Sequence, residues 1–516
     1  MSTPSNTAMS QGTRRILVGI CLVFGGVLIE GATLNYMLTP MLDELGLSQE
    51  DASVALTIPW VASLLVVFAA GRLGDRRGHR EVISWASVVV ILGSVLVAAA
   101  EGITLVALGL LLESLGATTI QIVTLGLLSD RFSAPSARSA AFGTFGMVSP
   151  AVWLMFPVLA GVLIQYSWRL VPLVWALGGL LALAMARLLL PAARRTERLG
   201  DMATPVLAGI TLSAFVQTVT RIGDDGLLSW WTLATASVTI LCGLLLLVLL
   251  RHRTDAGFSL GPLRVGATRA LLIVVIIVPF INTVFLMTMA FQYLYGLSVL
   301  QTALALVPAQ LAAVLGSRLV AAPLMRRWGL TRTAQVFFLL TSAFMLLSFA
   351  VTPSAPLWIP IAYIAGYNAL TVAASITVTN AVMNADPAVG SGVLSAYRMS
   401  AGAVGGSLAV VVMNSVVFAL SRWFMQTEFE QNGLDSQQAQ QQMAAVQEQS
   451  TSPALIQQYS VPLPDGTDVS SVIADTIATG IHVNGVLGSV LALVCVLLVT
   501  RAARSEGRRP ADRSTV

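Results

Sequence analysis

Long apolar runs separated by short charged segments follow one another along almost the entire chain. Fourteen of these runs are close to or above the roughly 20 residues that a helix needs to cross the hydrocarbon core of a membrane. They cover residues 16–38, 53–71, 82–100, 104–129, 138–164, 170–190, 203–220, 230–250, 270–292, 301–324, 334–352, 357–384, 392–420 and 477–500. The pattern predicts an all-α integral membrane protein with fourteen transmembrane helices.

The composition agrees with a chain that hides most of its surface in lipid. Charged residues make up 10% of the chain, whereas soluble domains carry about a quarter charged residues. The three cysteines, Cys21, Cys242 and Cys495, each lie in an apolar run and are expected to be buried thiols. No HExxH, paired-cysteine or phosphate-loop pattern occurs. We therefore expect a protein that is not an enzyme, that holds no metal and that needs no cofactor.

The distribution of basic residues predicts the orientation in the membrane. All 29 basic residues are arginine, a hint of a G+C-rich bacterial genome. If the amino terminus is cytoplasmic, only Arg169, Arg221 and Arg422 fall outside, Arg318 and Arg398 fall within spans, and every other arginine is inside. Because cytoplasmic loops are enriched in basic residues, we expect a monomer in a bacterial cytoplasmic membrane with both termini cytoplasmic. Its basic carboxyl-terminal tail then faces anionic membrane lipids and binds no nucleic acid.

Two inside loops form an internal repeat. The loop after the second helix, "GRLGDRRGHRE", aligns without gaps with "APLMRRWGLTR" after the tenth helix, so that Gly78 meets Gly329. The repeat predicts two six-helix halves, residues 1–200 and 254–516, with two inserted helices at 201–253. Parallel repeats of this kind belong to transporters, which hold their substrates near the midplane between the halves. A polar segment, residues 421–476, is expected to form an external loop of the second half.

Several of these stretches resemble the major facilitator superfamily. "GRLGDRRGHR" resembles its cytoplasmic signature, and "IEGATLNYMLTPML" is similar to the first-helix pattern of the fourteen-helix drug:proton antiporters, with Glu in place of the usual Asp. "FPVLAGVLIQYSWR" resembles a degraded antiporter motif to which Pro157 and Gly161 still conform. "FQYLYGLSVLQTALALVP" and "YRMSAGAVGGSLAV" resemble the pattern of the carboxyl half. The resemblance implies the major facilitator fold, and it implies transport that is driven by a proton gradient.

The resemblance also implies a conformational latch in the first inside loop. In the family, the aspartate at the position of Asp75 caps a helix of the opposite half and helps to hold one conformation. The expected latch residues are Gly71, Asp75, Arg76, Gly78 and Arg80. A basic loop that only sets topology would explain the arginines, but not Asp75 or the glycines.

Two acids lie inside predicted spans. Glu30 is the only charge in "GGVLIEGATLNYML", and Glu113 lies in "GLLLESLGATTIQ", where the family usually has an arginine in the fourth helix. Depending on a one-residue gap, Glu113 replaces that arginine or lies beside it. An ionised carboxylate at the bilayer centre costs roughly 3 kcal/mol, and neither acid has a basic neighbour in its own helix. We expect the two acids to lie at similar depth, to share a proton and to couple protons to transport. The alternative is a neutral acid that only forms hydrogen bonds within the bundle.

Further residues are candidates for a central cavity. By the resemblance, helices of both halves line this cavity, and the candidates are Asn35, Met37, Gln121, Asn282, Met289, Gln292, Tyr363, Tyr367 and Asn368. For each of them routine helix packing is the alternative. Arg318 and Arg398 are candidate charged partners, although extension of the side chain to the membrane interface is a simpler explanation.

The sequence therefore predicts a proton-coupled secondary active transporter with a small-molecule substrate. Met and aromatic side chains with few charges suit bulky lipophilic molecules. The first hypothesis is export of lipophilic or cationic compounds, as in multidrug efflux. The alternative is a transporter of the same fold for a lipid, a metabolite or a nutrient.

Overall fold

A computed structural model describes most of the chain, and all regular secondary structure in the described part is helical. The described residues are 11–47, 49–192, 201–252, 258, 260–297, 299–386, 389–431, 435, 437, 438 and 469–506. Much of the predicted external loop, and the predicted boundary near residue 200, lie outside them.

Eight helices form the amino-terminal part of the bundle, and two more follow. They are α1 (Gln11–Gly26), α2 (Ile29–Leu45), α3 (Gln49–Arg77), α4 (His79–Ala98), α5 (Ile103–Arg131), α6 (Pro135–Phe145), α7 (Val148–Ile164), α8 (Leu170–Leu189), α9 (Ala203–Asp225) and α10 (Trp230–His252).

The carboxyl-terminal part contains the remaining helices. They are α11 (Gly261–Arg264), α12 (Gly266–Ile277) with a 3₁₀ turn at Val278–Ile281, α13 (Val284–Tyr293), α14 (Val299–Leu315) with a π-helical segment at Gly316–Ala321, α15 (Ala322–Met345) with a 3₁₀ turn at Leu346–Ala350, α16 (Trp358–Val382), α17 (Ser391–Gln431) and α18 (Val469–Glu506).

Twelve stretches of the described residues are long and apolar enough to cross a membrane, which confirms the predicted all-α membrane architecture. One of them, Gln301–Ala350, has 50 residues. As one straight helix it would be about 75 Å long, more than twice the roughly 30 Å thickness of the hydrocarbon core. It is divided at Gly329, where φ is +77°. The 41-residue helix α17 is not among the twelve stretches.

The two aligned loops turn at the same position of the repeat. Gly78 has φ +91° between α3 and α4, and Gly329 has φ +77° within α15. Glycine adopts positive φ without the steric cost that a Cβ brings. The sequence repeat therefore corresponds to a repeated backbone turn.

The first predicted helix is broken where the sequence pattern predicts a continuous span. The α-helical hydrogen-bond pattern is interrupted at Val27 and Leu28, between α1 and α2. At this level Gly26 crosses Gly178 of α8 so closely that a Cβ on Gly26 would lie 2.6 Å from the carbonyl oxygen of Gly178. Glu30 therefore lies in the first turn of a new helix.

The two helices α9 and α10 pack on the outside of the bundle. Helix α9 contacts α3 and α17, whereas α10 packs against α9. Apolar side chains of α10, such as Ile240 and Leu241, are exposed. A chain in the membrane exposes such residues to lipid.

We call the end of the bundle where α3 meets α4, at Arg77–His79, the latch end, and the opposite end the far end. Arg80 at the start of α4 donates a 2.8 Å hydrogen bond to the carbonyl of Arg187 at the end of α8. Arg14 and Arg15 of α1 share a surface groove with Leu189 of that helix. Helix α18 ends near Gly266. Most arginines of the described residues lie at the latch end.

Candidate functional site

A central cavity of about 430 Å³ lies between the two parts of the bundle. Its walls combine aromatic and aliphatic side chains with amides, hydroxyls and one arginine. The lining residues are Phe24, Leu28, Gln121, Leu125, Phe145, Gly146, Ser149, Pro150, Trp153, Gln310, Asn368, Val372, Ser375, Ile376, Thr379, Arg398 and Met399. Helices from both sequence halves contribute, as in the midplane sites of transporters built from parallel repeats.

Two predicted cavity residues line this space. Gln121 of α5 faces it from the amino half, and Asn368 of α16 faces it from the carboxyl half. The Asn368 amide donates hydrogen bonds to the carbonyl of Ala309, at 3.0 Å, and to Oε1 of Gln310, at 3.4 Å. The Gln310 side chain is thereby fixed at the cavity wall.

Other predicted cavity residues lie elsewhere in this conformation. Met37 is fully buried in a packed cluster of the amino half. Tyr363 and Tyr367 are buried in the large apolar cluster that joins both halves. Periodicity places such residues on helices but does not tell which packed neighbour covers them, so the sequence did not separate cavity from core.

The remaining predicted cavity residues do not line the cavity or have side chains outside the described part of the structure. Asn35 is exposed and Gln292 is half-buried. Asn282 accepts a 2.9 Å hydrogen bond from the Val284 backbone and thereby supports the start of α13. The side chain of Met289 lies outside the described residues.

Three lining residues were not predicted from the sequence, namely Gln310, Ser149 and Trp153. Gln310 follows Pro308 in an otherwise apolar run, and Ser149 precedes Pro150. Polar side chains beside a proline inside a span were the available signal, because both are costly in lipid unless they face protein or water.

Glu30 and Glu113 are brought together by the fold. Their carboxyl groups are close enough to interact electrostatically. Glu113 is 1% exposed, whereas the Glu30 side chain is half-buried. Oε1 of Glu30 and Oε2 of Glu113 are both buried, with no hydrogen-bond partner among the described residues, and neither acid forms an ion pair there. A buried acid pair without a cation is expected to keep at least one proton.

Close packing of α4 on α5 explains why Glu113 is buried. A Cβ on Gly109 would lie 2.8 Å from the Gly93 carbonyl oxygen, and one on Gly116 would lie 2.7 Å from that of Ala86. Small residues on facing helices allow their backbones to approach closely in membranes. The Glu113 backbone is therefore pressed against α4 at Gly93, and water is excluded from this side.

The acid pair lies next to the cavity on the far-end side. Leu28 lines the cavity, and Glu30 follows it by two residues in α2. Along α5, Glu113 precedes Gln121 by eight residues, about 12 Å at 1.5 Å per residue. The acid pair is thus outside the cavity lining, and Glu30 is its nearer member along the chain, two residues beyond Leu28.

Asp75 joins the two halves at the latch end. Its Oδ1 accepts a 3.0 Å hydrogen bond from the Gly392 backbone at the start of α17. A Cβ on Gly71 would collide with the Gly392 carbonyl oxygen. Ser395 of α17 donates a 2.8 Å hydrogen bond to the Ile122 carbonyl of α5. The bundle is therefore closed at the latch end.

The other predicted latch residues support the loop from one side. Gly78 provides the turn with positive φ. Arg80 ties α4 to α8 within the same half. His79 lies 3.6 Å from Asp130 of α5, and Arg76 interacts with Asp75 electrostatically. Among the predicted latch residues, Gly71 and Asp75 therefore contact the opposite half, while Arg80 acts within the amino half.

The predicted antiporter motif lies on α7. Pro157 is inside the helix and half-buried, and Gly161 is exposed with no atom within 4 Å of the place where its Cβ would be. No close helix crossing depends on Gly161 in this conformation.

The two intramembrane arginines differ in their surroundings. Arg318 is exposed in the π-helical segment after α14, which agrees with extension to the interface. Arg398 lines the cavity. Its Nε donates a 3.1 Å hydrogen bond to Oγ1 of Thr379, and no carboxylate of the described residues pairs with it.

At the far end, Arg169 connects three elements. Its Nη1 donates hydrogen bonds to the carbonyls of Ala98, at 2.9 Å, and Ala100, at 2.7 Å. Its Nη2 lies 3.2 Å from Oε1 of Glu44. The guanidinium also lies over the Trp168 ring, 4.6 Å from its centre. Arg169 therefore holds the end of α2, the end of α4 and the start of α8 together.

Arg169→Gln is expected to lower the free energy of unfolding by about 1–3 kcal/mol, because it leaves two carbonyls and Glu44 without their donor. Arg169→Lys should recover only part of the lost free energy of unfolding, since one ammonium group cannot reproduce the planar array of guanidinium donors. Thermal unfolding of the purified protein measures the stability of both Arg169 variants, and Arg318→Gln is the control at an exposed arginine. Equal melting temperatures for Arg169→Gln and Arg318→Gln would contradict the role of Arg169.

The chain resembles known membrane transporters in sequence. The family model described as Major Facilitator Superfamily matches residues 17–410. An uncharacterised MFS-type transporter of Mycobacterium tuberculosis is 32% identical over 178 residues, which cover 32% of this chain and 25% of that protein. The chain thus matches only about a quarter of that relative's length.

Two further comparisons extend over most of the chain. The tetracenomycin C resistance and export protein of Streptomyces glaucescens is 23% identical over 489 residues, 90% of this chain and 88% of that protein. The crystal structure of the human organic anion transporter MFSD10 covers 94% of this chain and 99% of its own, with a TM-score of 0.59 and 14% identity. At this identity the structural likeness concerns the fold alone.

Proposed function

Because this chain belongs to the major facilitator superfamily, we propose that it is a proton-coupled secondary active transporter that exports lipophilic compounds by alternating access. The observation that carries the proposal is the buried acid pair Glu30 and Glu113 beside a cavity that both halves line. The export relative from Streptomyces glaucescens, similar along 90% of this chain, supports the direction of transport.

We further propose fourteen transmembrane helices in two six-helix halves with an inserted pair. The 50-residue stretch divided at Gly329 is long enough for two spans, and α17 is long enough for one more. Helices α9 and α10 would be the inserted pair, because they pack outside the cavity. This count also returns the carboxyl terminus to the side of the amino terminus.

In the proposed orientation the latch end faces the cytoplasm of a bacterial cell. The arginines gathered at this end support it, since cytoplasmic loops carry such an excess. The closed contact of Asp75 with Gly392 then seals the cavity from the cytoplasm. In this state substrate leaves toward the outside, and the acid pair on the far-end side of the cavity takes up a proton from there.

The proton and the substrate are coupled through the population of conformations. A ligand shifts a conformational equilibrium only by its different affinity for the two states. A protonated pair tolerates a dry, closed environment, whereas two ionised carboxylates require water or a cation. Protonation from outside therefore favours the return to the cytoplasm-open state, where the proton is released and substrate binds.

Transport of protons in purified vesicles tests this proposal. The protein is reconstituted with a pH-sensitive dye inside, and lipophilic compounds are added under an imposed pH gradient. We expect compound-dependent proton movement opposite to the compound, which vesicles without protein do not show. Movement of compound and proton in the same direction would replace the exporter by a symporter of a nutrient or metabolite.

A further inference from the structure

Arg398 contributes the only formal charge among the described residues that line the cavity. The acids Glu30 and Glu113 lie behind the wall and do not pair with it. A cation held in a partly dry cavity without a counter-ion is energetically unfavourable. The other lining groups are apolar or neutral, so none of them balances the charge.

The guanidinium of Arg398 is directed into the bundle and not toward the nearest interface. Helix α17 begins at the latch end, and helical side chains lean toward the start of their helix. Nη1 of Arg398 nevertheless lies 3.5 Å from the place of a Cβ on Gly402, one turn further into the membrane. It also lies 3.6 Å from Sδ of Met399. Extension to the interface therefore does not explain this arginine.

Aromatic surfaces face the same space. The rings of Phe24 and Phe145 are 4.3 Å apart between their centres, and the indole of Trp153 is 44% exposed. Gln121 and Gln310 add amide groups to the lining of the same cavity. A flat apolar body with hydrogen-bonding edges and one negative group fits this set of partners.

We propose that Arg398 is the anion-binding residue of the cavity and that the exported substrates are amphipathic organic anions, with an aromatic body and a carboxylate, sulfonate or ionised phenol. This deepens the proposed function and rests on it for the direction of transport. The sequence led us to expect lipophilic or cationic substrates. This inference restricts the substrates to anions. A guanidinium recognises such groups through two parallel hydrogen bonds.

Binding of two xanthene dyes of opposite charge to the detergent-purified protein tests the inference. The anionic probe is carboxyfluorescein and the cationic probe is rhodamine 6G, and fluorescence anisotropy reports their affinities. We expect the wild-type protein to bind carboxyfluorescein at least about 10-fold more tightly than rhodamine 6G. Arg398→Gln should weaken carboxyfluorescein by about 10- to 100-fold, as expected for loss of a charge-assisted hydrogen bond, and leave rhodamine 6G unchanged.

Two variants separate recognition from damage to the fold. Arg398→Lys keeps the charge and should bind carboxyfluorescein with intermediate affinity. Arg318→Gln removes an exposed arginine and should bind like the wild type. Absence of saturable carboxyfluorescein binding by the wild type, a preference for rhodamine 6G, or unchanged affinity in Arg398→Gln would each overturn the inference.

The binding assay needs no proton gradient, so its outcome is independent of proton coupling. If Arg398-dependent binding is found but no proton counterflow occurs in vesicles, the proposed function is wrong and the anion site stands. If counterflow occurs without Arg398-dependent binding, the anion site is wrong and the transporter proposal stands.

Discussion

Replacing Glu113 with glutamine is expected to reduce proton-coupled transport to the level of vesicles without protein. Glu30→Gln should have the same effect, because a proton shared between two buried carboxyl groups requires both. The neutral amide keeps the shape of the side chain but cannot exchange a proton. We expect a loss of at least about 10-fold, equivalent to a coupling free energy of ~1.4 kcal/mol.

The double variant and a distant control make this prediction specific. If the two acids act as a unit, the double variant should be no worse than either single variant, since effects of coupled residues are not additive. Glu101→Gln, at an exposed position in the turn between α4 and α5, should transport like the wild type. Wild-type coupling in either single variant would contradict the shared proton.

These variants are expected to fold. Burial of a charged carboxylate without a cation costs free energy, and glutamine has nearly the same shape without that charge. The melting temperatures of Glu30→Gln and Glu113→Gln should therefore equal or exceed that of the wild type. A low yield of folded protein would instead assign the acids a structural role, which is the alternative considered from the sequence.

Gly71→Ala is expected to open the latch end. The added methyl group would collide with the Gly392 carbonyl oxygen and lie 3.1 Å from Cβ of Ala396. The two backbones would have to separate by roughly 1 Å to reach van der Waals contact. Overpacking of this kind costs about 1–3 kcal/mol, enough to lower the ratio of closed to open molecules by about 5- to 150-fold.

Spin labels across the latch measure this change. Labels at Arg77 and Asn384, both exposed at the latch end, should report a longer distance in Gly71→Ala, in a background without the native cysteines. Gly406→Ala on α17 is the matched control, because no atom lies within 4 Å of its Cβ position. An unchanged distance in Gly71→Ala, or an equal change in Gly406→Ala, would contradict the steric latch.

The architecture was largely predictable because the bilayer imposes it on the sequence. Each span must satisfy its backbone hydrogen bonds internally, so long apolar runs become helices. The paired loops with Gly78 and Gly329 also predicted a repeated turn, since few residues other than glycine adopt positive φ. The break before Glu30 was not predicted, because it depends on the crossing of Gly26 with Gly178, a residue of a distant helix.

The candidate site was predictable only in part. A charge inside an apolar run is costly in lipid wherever the helix lies, so Glu30, Glu113 and Arg398 were recognisable from the sequence. Met37, Tyr363 and Gln121 are all residues inside predicted spans. Only packing decides that Gln121 faces the cavity while the other two are buried in the core.

The sequence by itself determined that this chain crosses a membrane many times, that arginine marks one side, and which charged groups lie at depth. Local composition suffices for these properties, because the free energy of transfer into lipid is a sum of contributions from the individual residues. The tertiary structure brings Glu30 and Glu113 within electrostatic range of each other, as their predicted depth led us to expect. It alone decided that Arg398 stands in the cavity with no carboxylate of the described residues beside it. These relations join residues far apart in the chain, and they depend on which helix faces pack together.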